Sequence, residues 1–596
     1  MCGFIGEISN NFIKNEDIKI ANEFLVCRGP DSTTNIQGGI KNYHYSFIFN
    51  RLAIIDLSKQ ADQPMISKDK NFVLMFNGEI YNHKVLRKTL EKKIEFSTDH
   101  SDSEVVLNGL ILHGLDYLKE LRGQFSIFFL NKLENKAYLI RDRIGQKPLY
   151  YNITKNRLVF SSNLNSITSL SSDLKINYKN LAQYFKYGVI GKNNTLFENF
   201  YKLQPAEVIK FHFTNSEIKF EKEFFWNIEK FLDYKKFNKS EFFNILNESI
   251  NLRADADVPI ANFLSGGIDS TSIVKNMHSN DKIVNTFSVN FDNQKYDESK
   301  WAYYVSKKYN TNHQSINFNS TIDDLFIDNI LESLDEPYYD PSVLPSFILS
   351  KEISKYFKVA ISGDGGDELL GGYIRTNKSL KNVNYFQKFL PKFYNLFPSF
   401  LGTGNLFLSN SSDIEIRYKS FLEDLKLLKM LGINYSDTEE LITLNNEADS
   451  YKALLLSDYK FYLPDMMMFK VDRTSMFNSL EIRSPFVDHN LIEYVISRDT
   501  SYFDKNNSKS LLKEYLSEDF DSKFLNRNKQ GFVFDIENWV YKNFDSINYK
   551  LNTGVISNFI PQNFSKKFLI YKSRINAHRI WKMYVLNNYL NRFKTF

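Results

Sequence analysis

Residues 263–271 read FLSGGIDST, and this stretch decides the fold of the second half of the chain. It joins a predicted strand, VPIANFLS, to a predicted helix, DSTSIVKNMHS. Gly266 and Gly267 have no Cβ, so the backbone can turn sharply and present N–H groups to an anion. The helix that follows directs the positive end of its dipole at the same point. The stretch therefore predicts a phosphate site with Ser265 and Ser270 as hydroxyl donors, although a serine-capped glycine turn is the simpler alternative.

The loop is not a Walker A motif, because it does not end in Gly-Lys-Ser/Thr. An acidic side chain beside a phosphate needs a cation between them, so Asp269 predicts a Mg²⁺ ligand. Strand and helix patterns alternate after it, in NTFSVNF, ESKWAYYVSKKYN and KVAIS, which predicts a parallel sheet. The last of these strands leads into a loop that carries Asp364, Asp367 and Glu368, at the strand end where open parallel sheets bind ligands. An ordinary polar surface loop is equally compatible with this second pattern.

The first 210 or so residues have a different pattern. Strand-like runs such as HYSFIFNRLAIIDL and FVLMFNGEIYN are separated by turn residues and by helical stretches such as DSEVVLNGLILHGLDYLKEL. This predicts a layered α+β domain over residues 2–213. The charged, weakly patterned residues 214–239 predict a linker, and residues 240–596 predict an α/β domain whose part after about 380 is helical.

Bulk composition excludes several classes of protein. The chain has 596 residues, a formal charge of +5 and only two cysteines, so it predicts neither a nucleic-acid binder nor a disulfide framework. No basic segment followed by an apolar one opens the chain, and no window of about 18 apolar residues occurs. We therefore expect a cytoplasmic protein with small-molecule substrates and no membrane or nucleic-acid partner; a homodimer is one possible assembly.

Together the motifs resemble the glutamine-hydrolysing asparagine synthetase family. The front half is similar to a class II glutamine amidotransferase domain, and SGGIDS is similar to the loop of enzymes that split ATP into AMP and pyrophosphate. The matching stretches occur in the family's order: MCGFIG, RGPD (28–31), RLAIIDL (51–57), FNGEIYN (76–82), SDSE (101–104), RDRIGQKPLYY (141–151), YDES (296–299), DEPYYDPS (335–342), SGDGGDE (362–368), KVDRTSM (470–476) and EIRSPFVDH (481–489). The match is weak at about 385–450.

The resemblance implies a fold and a role for Cys2. The fold would be an N-terminal-nucleophile hydrolase αββα sandwich, followed by an adenine-nucleotide α-hydrolase-like parallel-sheet domain with a helical extension. Removal of Met1 would leave Cys2 with both a thiol and an α-amine. A thiolate attacks amides, and an α-amine with a pKa of about 7.7–8.0 can serve as its base. Cys27 lacks that amine and is expected to be a small buried apolar residue.

The resemblance also implies the other residues of the glutamine site. Arg51 would bind the α-carboxylate of glutamine, as a guanidinium fork suits, and Asp102 would bind its α-amine. Asn77 and Gly78 would form the oxyanion hole, and Glu79 would help to orient the substrate. Taken alone, Arg51 could equally form a surface ion pair, and Asn77-Gly78 could form a type I′ hairpin turn.

For the second domain, the resemblance implies an ATP site. Leu264 and Val289 would line the adenine nucleotide, while Ser362 and Gly363 would bind it. Lys470 would neutralise charge as pyrophosphate leaves, although without the surrounding KVDRTSM it would be interpreted as a solvated helix lysine.

Carboxylates complete that site. Asp269 and Asp367 would bring Mg²⁺ to the phosphates, and Asp364 occupies a position where the family often has Glu. Glu368 would bind the α-amine of an acceptor, and Arg375, close to it in sequence, is the candidate cation for the acceptor's carboxylate.

One departure concerns the domain junction. The family commonly has an acid and a base in the segment VFSSNLNSI (159–167), where this chain has Asn163 and Asn165. This predicts altered junction contacts and altered coupling between the sites.

The resulting hypothesis is a glutamine-dependent, AMP-forming amidation of a carboxylate through an acyl-adenylate, with L-aspartate as the first choice of acceptor. Alternative acceptors include uronic-acid sugars of surface polysaccharides. Two further alternatives are a non-catalytic regulatory homologue and an ATP pyrophosphatase whose front domain is silent.

Overall fold

The computed structural model describes residues 2–11, 13–279, 283–291, 297–318, 324–434, 438–444, 449–504, 507–527 and 534–593. Met1, whose removal the sequence predicts, and Tyr296 of the YDES motif lie outside these ranges. The described residues form a front domain with two antiparallel sheets and a second domain with one parallel sheet. The predicted combination of α+β and α/β architectures is confirmed.

Two six-stranded sheets form the middle of the front domain. Their orders are β10-β8-β9-β1-β3-β2 and β12-β11-β7-β6-β5-β4, and the pairs within them are antiparallel. The strands are β1 Cys2–Ser9, β2 Ser32–Ile40, β3 Tyr43–Arg51, β4 Met65–Ile66, β5 Phe72–Ile80, β6 Gly123–Asn131, β7 Lys136–Arg141, β8 Tyr150–Ile153, β9 Arg157–Ser161, β10 Phe200–Lys202, β11 Glu207–Phe213 and β12 Ile218–Phe224.

Alternate side chains of the two sheets meet face to face. Phe47 of β3 packs edge-on against Phe128 of β6, with ring centroids 4.9 Å apart, inside a shared apolar core. The outer faces bury separate apolar clusters under α1 on one side and α2 and α3 on the other, which completes the predicted αββα sandwich. The helices up to residue 187 are α1 Asn15–Asn22, α2 His83–Leu90, α3 Asp102–His113, α4 Leu164–Thr168 and α5 Tyr178–Tyr187.

The predicted linker is wrong over part of its length. Strand β12 lies inside residues 214–239 and pairs antiparallel with β11 over its full length, from Glu207 opposite Phe224 to Phe213 opposite Ile218. Its side chains after Ile218 are mostly exposed because β12 is an edge strand. Charged side chains are typical of such edges. Because they replace the alternating apolar residues of a half-buried strand, the sequence pattern does not predict β12.

A five-stranded parallel sheet forms the centre of the second domain, in the order β15-β14-β13-β16-β17. The chain adds β14 and β15 on one side of β13, and then β16 and β17 on the other. The order therefore reverses between β13 and β16, and a crevice opens at their carboxyl ends. The strands are β13 Ile260–Phe263, β14 Asn285–Phe291, β15 Asn312–Phe318, β16 Val359–Ile361 and β17 Glu481–Arg483.

Helices cover this sheet and form the C-terminal extension, where Trp581 is completely buried. A π-helical segment, Asp458–Met468, runs between α16 and α17. No helix in the described ranges has the length and apolar character to cross a bilayer. The helices are α6 Lys239–Arg253, α7 Ile268–His278, α8 Ser299–Lys308, α9 Asp324–Leu331, α10 Val343–Ile353, α11 Gly366–Leu369, α12 Ile374–Ser379, α13 Asn405–Leu408, α14 Ile414–Lys419, α15 Leu425–Met430, α16 Ser450–Ser457, α17 Phe469–Met476, α18 His489–Ser497, α19 Ser510–Leu516, α20 Ser522–Leu525, α21 Ile536–Lys542, α22 Phe544–Thr553 and α23 Arg574–Leu590.

Candidate active sites

The SGG loop forms the turn from β13 into α7. Gly266 has φ +73°, and a Cβ there would lie 2.6 Å from the backbone of α8, so both conformation and space require glycine. Gly267 caps α7, and its N–H donates to Ser265 Oγ at 3.1 Å. The loop therefore brings Ser265, Ser270 and the N-terminus of α7 to the crevice, as an anion site requires, while Gly266 and Gly267 shape the turn without lining the cavity.

A cavity of about 330 Å³ lies at the crevice between the ends of β13 and β16. The loops after both strands line it, together with α17 and the π-helical segment. The residues predicted from the sequence that line it are Leu264, Ser265, Asp269, Ser270, Val289, Ser362, Gly363, Asp364, Asp367, Glu368 and Lys470.

Two carboxylates at this cavity share one cation. Lys509 Nζ lies 2.5 Å from Asp269 Oδ2 and 2.5 Å from Asp367 Oδ1. The two acids lie in the first turns of different helices, Asp269 in α7 and Asp367 in α11, and both contact Lys509 Nζ. Carboxylate oxygens are the protein ligands that Mg²⁺ prefers, usually one or two with the remainder from water and phosphate. The donor set therefore fits the metal that accompanies a nucleotide.

Glu368 is a buried acid with one carboxylate oxygen hydrogen-bonded and the other without a hydrogen-bond partner in the described part of the chain. Its Oε1 accepts from the Tyr373 hydroxyl at 2.7 Å, and its Oε2 is buried with no hydrogen-bond partner among the described residues. Burial, followed by repulsion from Asp367, raises the pKa of Glu368 to about 7. An ammonium group placed at Oε2 would supply the partner that this oxygen lacks.

Arg375 is not where the sequence-based interpretation expected it. It does not line the cavity; its Nη2 donates to Asp458 Oδ1 at 2.6 Å, and its guanidinium lies 3.8 Å from the Tyr373 and Tyr462 ring centroids. Both partners of this ion pair are buried, so removing Arg375 from Asp458 would leave a buried charge unpaired. Closeness in sequence to Glu368 therefore did not predict the direction of the Arg375 side chain. Arg375 packs against the rings of Tyr373 and Tyr462, which themselves line the cavity.

A second cavity, of about 30 Å³, lies in the front domain. The predicted residues that line it are Cys2, Arg51, Gly78, Glu79 and Asp102. Cys2 begins β1 and pairs with Arg51 of β3. Burial raises the pKa of the Cys2 thiol, so attack by this sulfur requires a base close to it.

Asn77 holds the nitrogen that would become that base. The backbone nitrogen of Cys2 donates to Asn77 Oδ1 at 3.1 Å, and Asn77 Nδ2 lies 3.4 Å from Ser126 Oγ. Asn77 and Gly78 are not in a hairpin turn; they lie within β5. A Cβ on Gly78 would lie 2.0 Å from the Gln124 carbonyl oxygen of β6, so only glycine fits at this position.

The remaining polar groups of the front cavity are held firmly. Arg51 Nη1 donates to the Ser58 carbonyl at 2.7 Å and to Asp62 at 2.8 Å. Asp102 Oδ2 accepts from the Ile80 N–H at 3.0 Å, and burial raises the pKa of Asp102. Burial also raises the pKa of Glu79, although the Arg483 guanidinium 3.2 Å away opposes the rise.

Buried ion pairs join the two sites. Arg28 binds Asp472 through both Nη atoms, at 2.8 and 3.0 Å, while its Nε donates to the carbonyl oxygen of Cys2 at 3.2 Å. Asp472 lies on α17, the helix that also carries Lys470. One arginine therefore contacts both the Cys2 backbone and a helix that lines the cavity of the second domain.

The substituted junction segment also makes contacts. Asn163 caps α4 by accepting from Ser166 N at 3.2 Å, and the Leu164 N–H donates to Asp335 of the second domain at 3.0 Å. Asn165 Oδ1 lies 3.5 Å from the Tyr589 hydroxyl. The junction is therefore connected here by hydrogen bonds, one to the Asp335 carboxylate and one between the neutral side chains of Asn165 and Tyr589.

Sequence reasoning missed several residues of the second site. Lys509 is separated from Asp269 by 240 positions, and no motif marks it. Asp340 lies in DEPYYDPS and Tyr373 lies five residues after SGDGGDE, but neither motif assigns a role to these two side chains. Both line the cavity.

Comparison with known proteins agrees with this arrangement. Residues 1–226 match the glutamine amidotransferase domain model, and residues 241–568 match the asparagine synthase model. Asparagine synthetase [glutamine-hydrolyzing] 1 of Bacillus subtilis is 31% identical over 91% of this chain and 88% of its own. A putative asparagine synthetase of Methanocaldococcus jannaschii is 31% identical over 80% of this chain and 98% of its own.

The boundary between the two matched regions follows β12, consistent with the position of that strand in the front domain. A third relative, asparagine synthetase [glutamine-hydrolyzing] 2 of Bacillus subtilis, is 26% identical over 90% of this chain and 72% of its own. The chain belongs to the asparagine synthase family, with a glutamine amidotransferase domain in front of the synthase domain.

Proposed function

We propose that the chain uses glutamine and ATP to convert L-aspartate into L-asparagine, releasing glutamate, AMP and pyrophosphate. The observation that carries this proposal is the presence of two polar cavities in one chain, with Arg28 bound both to the Cys2 carbonyl and to Asp472 of α17. One cavity holds a cysteine with its own nitrogen fixed beside it, and the other holds a phosphate loop with paired carboxylates.

The front cavity supplies ammonia. After removal of Met1, the α-amine of Cys2, held by Asn77 Oδ1, takes the thiol proton, and the sulfur attacks the carboxamide carbon of glutamine. Asn77 Nδ2 and the Gly78 N–H are the donors for the oxyanion. Collapse of this intermediate breaks the C–N bond, the amine returns its proton to the leaving nitrogen, and water hydrolyses the thioester to glutamate.

The second cavity activates the acceptor. The SGG loop and the N-terminus of α7 bind the phosphates, and Asp269 and Asp367 would hold Mg²⁺. The metal would neutralise charge on the phosphate chain. An acceptor carboxylate oxygen attacks the α-phosphorus, pyrophosphate leaves near Lys470, and ammonia then attacks the acyl carbon to displace AMP.

The acceptor is the least constrained part of the proposal. Glu368 Oε2 is a buried acceptor with no hydrogen-bond partner among the described residues, and this supports an acceptor with an α-amine, such as aspartate. The commitment of Arg375 to Asp458 removes the expected cation for a second carboxylate, and this favours a second candidate, a uronic-acid sugar. A site built to pair a polar group discriminates strongly against acceptors that lack it.

AMP formation over a set of acceptors separates these candidates. With full-length enzyme, glutamine and Mg·ATP, we expect aspartate to raise AMP formation far above background and glutamate, one methylene longer, not to. Failure of aspartate together with success of a nucleotide-linked uronic acid would replace the asparagine proposal with the sugar amidotransferase. Glutamine hydrolysis with no AMP from any acid would favour a protein that does not synthesise an amide.

A further inference from the structure

We propose that Lys509 holds the place of Mg²⁺ in the nucleotide-free enzyme and must withdraw when the metal binds. The proposal rests on the Mg²⁺ site proposed above and concerns the protein before nucleotide binds. Its basis is that one ammonium nitrogen lies 2.5 Å from an oxygen of Asp269 and 2.5 Å from an oxygen of Asp367.

The two cations cannot share this space. Mg²⁺ binds carboxylate oxygens at about 2.0–2.1 Å in an octahedral shell. An ammonium nitrogen already 2.5 Å from each oxygen occupies the volume that such an ion and its waters need. Metal entry therefore requires Lys509 Nζ to leave, and its four-carbon stem has the rotational freedom to do so.

The fold prepares a position for this side chain. Lys509 is only 9% exposed and lies directly before α19, with φ 58°. A Cβ on Gly372 would lie 2.3 Å from Lys509 Cε and 2.1 Å from Asp367 Oδ1, so the glycine leaves room for the lysine stem. This close packing of a buried lysine stem against a glycine distinguishes Lys509 from a surface lysine that contacts acids by chance.

The arrangement has a functional consequence. Without nucleotide, Lys509 would hold these two carboxylates, from separate helices, against one ammonium group at the point where Mg²⁺ would bind. The ammonium offsets the mutual repulsion of these acids. The same ammonium competes with free Mg²⁺, so the site favours the metal that arrives with nucleotide, whose phosphates add ligands and can accept the displaced ammonium.

The test is Mn²⁺ binding to the full-length, nucleotide-free protein, measured by electron paramagnetic resonance with Mn²⁺ as the only added metal. We expect Lys509→Met to bind Mn²⁺ about tenfold or more tightly than the unmodified chain, because the competing cation is gone. Lys509→Arg keeps the charge and should bind as weakly as the unmodified chain. Lys513→Met is the matched control, since Lys513 lies on α19, the helix that Lys509 precedes, and its Nζ donates to Asn507.

Unchanged, weaker or undetectable Mn²⁺ binding by Lys509→Met would overturn the inference. A second measurement on the unmodified protein covers a variant that fails to fold: the ¹³Cε resonance of Lys509, assigned through Lys509→Arg, should shift when Mg²⁺ saturates the site. A resonance that does not respond to Mg²⁺ would also overturn it. The metal site itself is tested separately: adding Asp269→Asn to Lys509→Met should abolish the tight Mn²⁺ binding. The AMP assay tests the proposed function.

Discussion

The two cavities of this chain differ in volume and in the elements that line them. The front cavity has a volume of about 30 Å³, and Cys2, Arg51, Gly78 and Glu79, which line it, lie on strands of the sandwich. The second has a volume of about 330 Å³ and is lined largely by loops at strand ends and by helices. The side chains of the front cavity are fixed by paired strands of one sandwich, whereas those of the second come from several separate loops and helices. The comparison predicts that changes in the front cavity act on one reaction only, and that changes in the second act on several.

The largest expected effect is that of Cys2→Ala. Without the sulfur no thioester forms, so glutamine-dependent amide synthesis should fall on the order of 10⁴-fold or more. Synthesis from added ammonium salts should continue, because the second cavity is untouched. Parallel assays with glutamine and with ammonium chloride measure this. Glutamine-dependent synthesis by the variant, or a mature protein that still starts with Met1, would remove Cys2 as the nucleophile.

Asp269→Asn should have the next largest effect, in the second cavity. Loss of one of two carboxylates that face the phosphates should lower AMP and pyrophosphate formation on the order of 100-fold. Glutamine hydrolysis should persist. Asp519→Asn is the control. Asp519 lies 2.9 Å from Lys275, which is on α7 like Asp269, and Asp519 does not line the cavity. Normal pyrophosphate release by Asp269→Asn would contradict the assignment.

A smaller effect is expected where the two cavities are joined. Arg28→Met removes the bidentate partner of buried Asp472, which keeps Arg473 at 3.3 Å and Lys147 at 3.6 Å. We therefore expect a loss of unfolding free energy below the about 3–5 kcal/mol that a fully unpaired buried charge costs. We also expect the variant to release more glutamate per AMP, because Arg28 contacts the Cys2 carbonyl. Lys358→Met is the control: it breaks a half-exposed interdomain pair with Asp31, worth about 0–1 kcal/mol. Equal stability losses in the two variants would show that Arg28 has no special role.

The smallest expected effect is a pH dependence. The pKa of Glu368 is raised to about 7, so its carboxyl is neutral below that pH and binds an ammonium poorly. For an amino-acid acceptor, kcat/KM should therefore rise with pH through about 7 and level off above it, by about tenfold in all. Glu368→Gln should abolish the rise.

Tyr373→Phe sharpens this measurement. The Tyr373 hydroxyl donates to Glu368 and lowers the pKa of that carboxyl, so its removal should move the inflection to higher pH. An inflection that does not move, or one that survives in Glu368→Gln, would assign the pH dependence to another group.

Local motifs were enough to predict most of the two cavities, because glycine turns and strand-to-helix alternation are local properties. The SGG loop, its strand and its helix are where the sequence pattern predicts them. Arg375 was misplaced and Lys509 was missed for one reason: the direction of a side chain, and its meeting with residues 240 positions away, depend on tertiary packing. β12 was missed because an exposed edge strand carries charges instead of alternating apolar residues.

The central claim is that the two cavities work as one enzyme that passes ammonia from glutamine to an adenylated acceptor. Its most direct test supplies full-length protein with Mg·ATP, aspartate, glutamine labelled with ¹⁵N in the amide, and an excess of unlabelled ammonium. The account predicts asparagine whose new amide is mainly ¹⁵N, with one AMP for each. Asparagine with ¹⁵N diluted to the ratio of the bulk ammonium, or glutamate released without AMP, would contradict it.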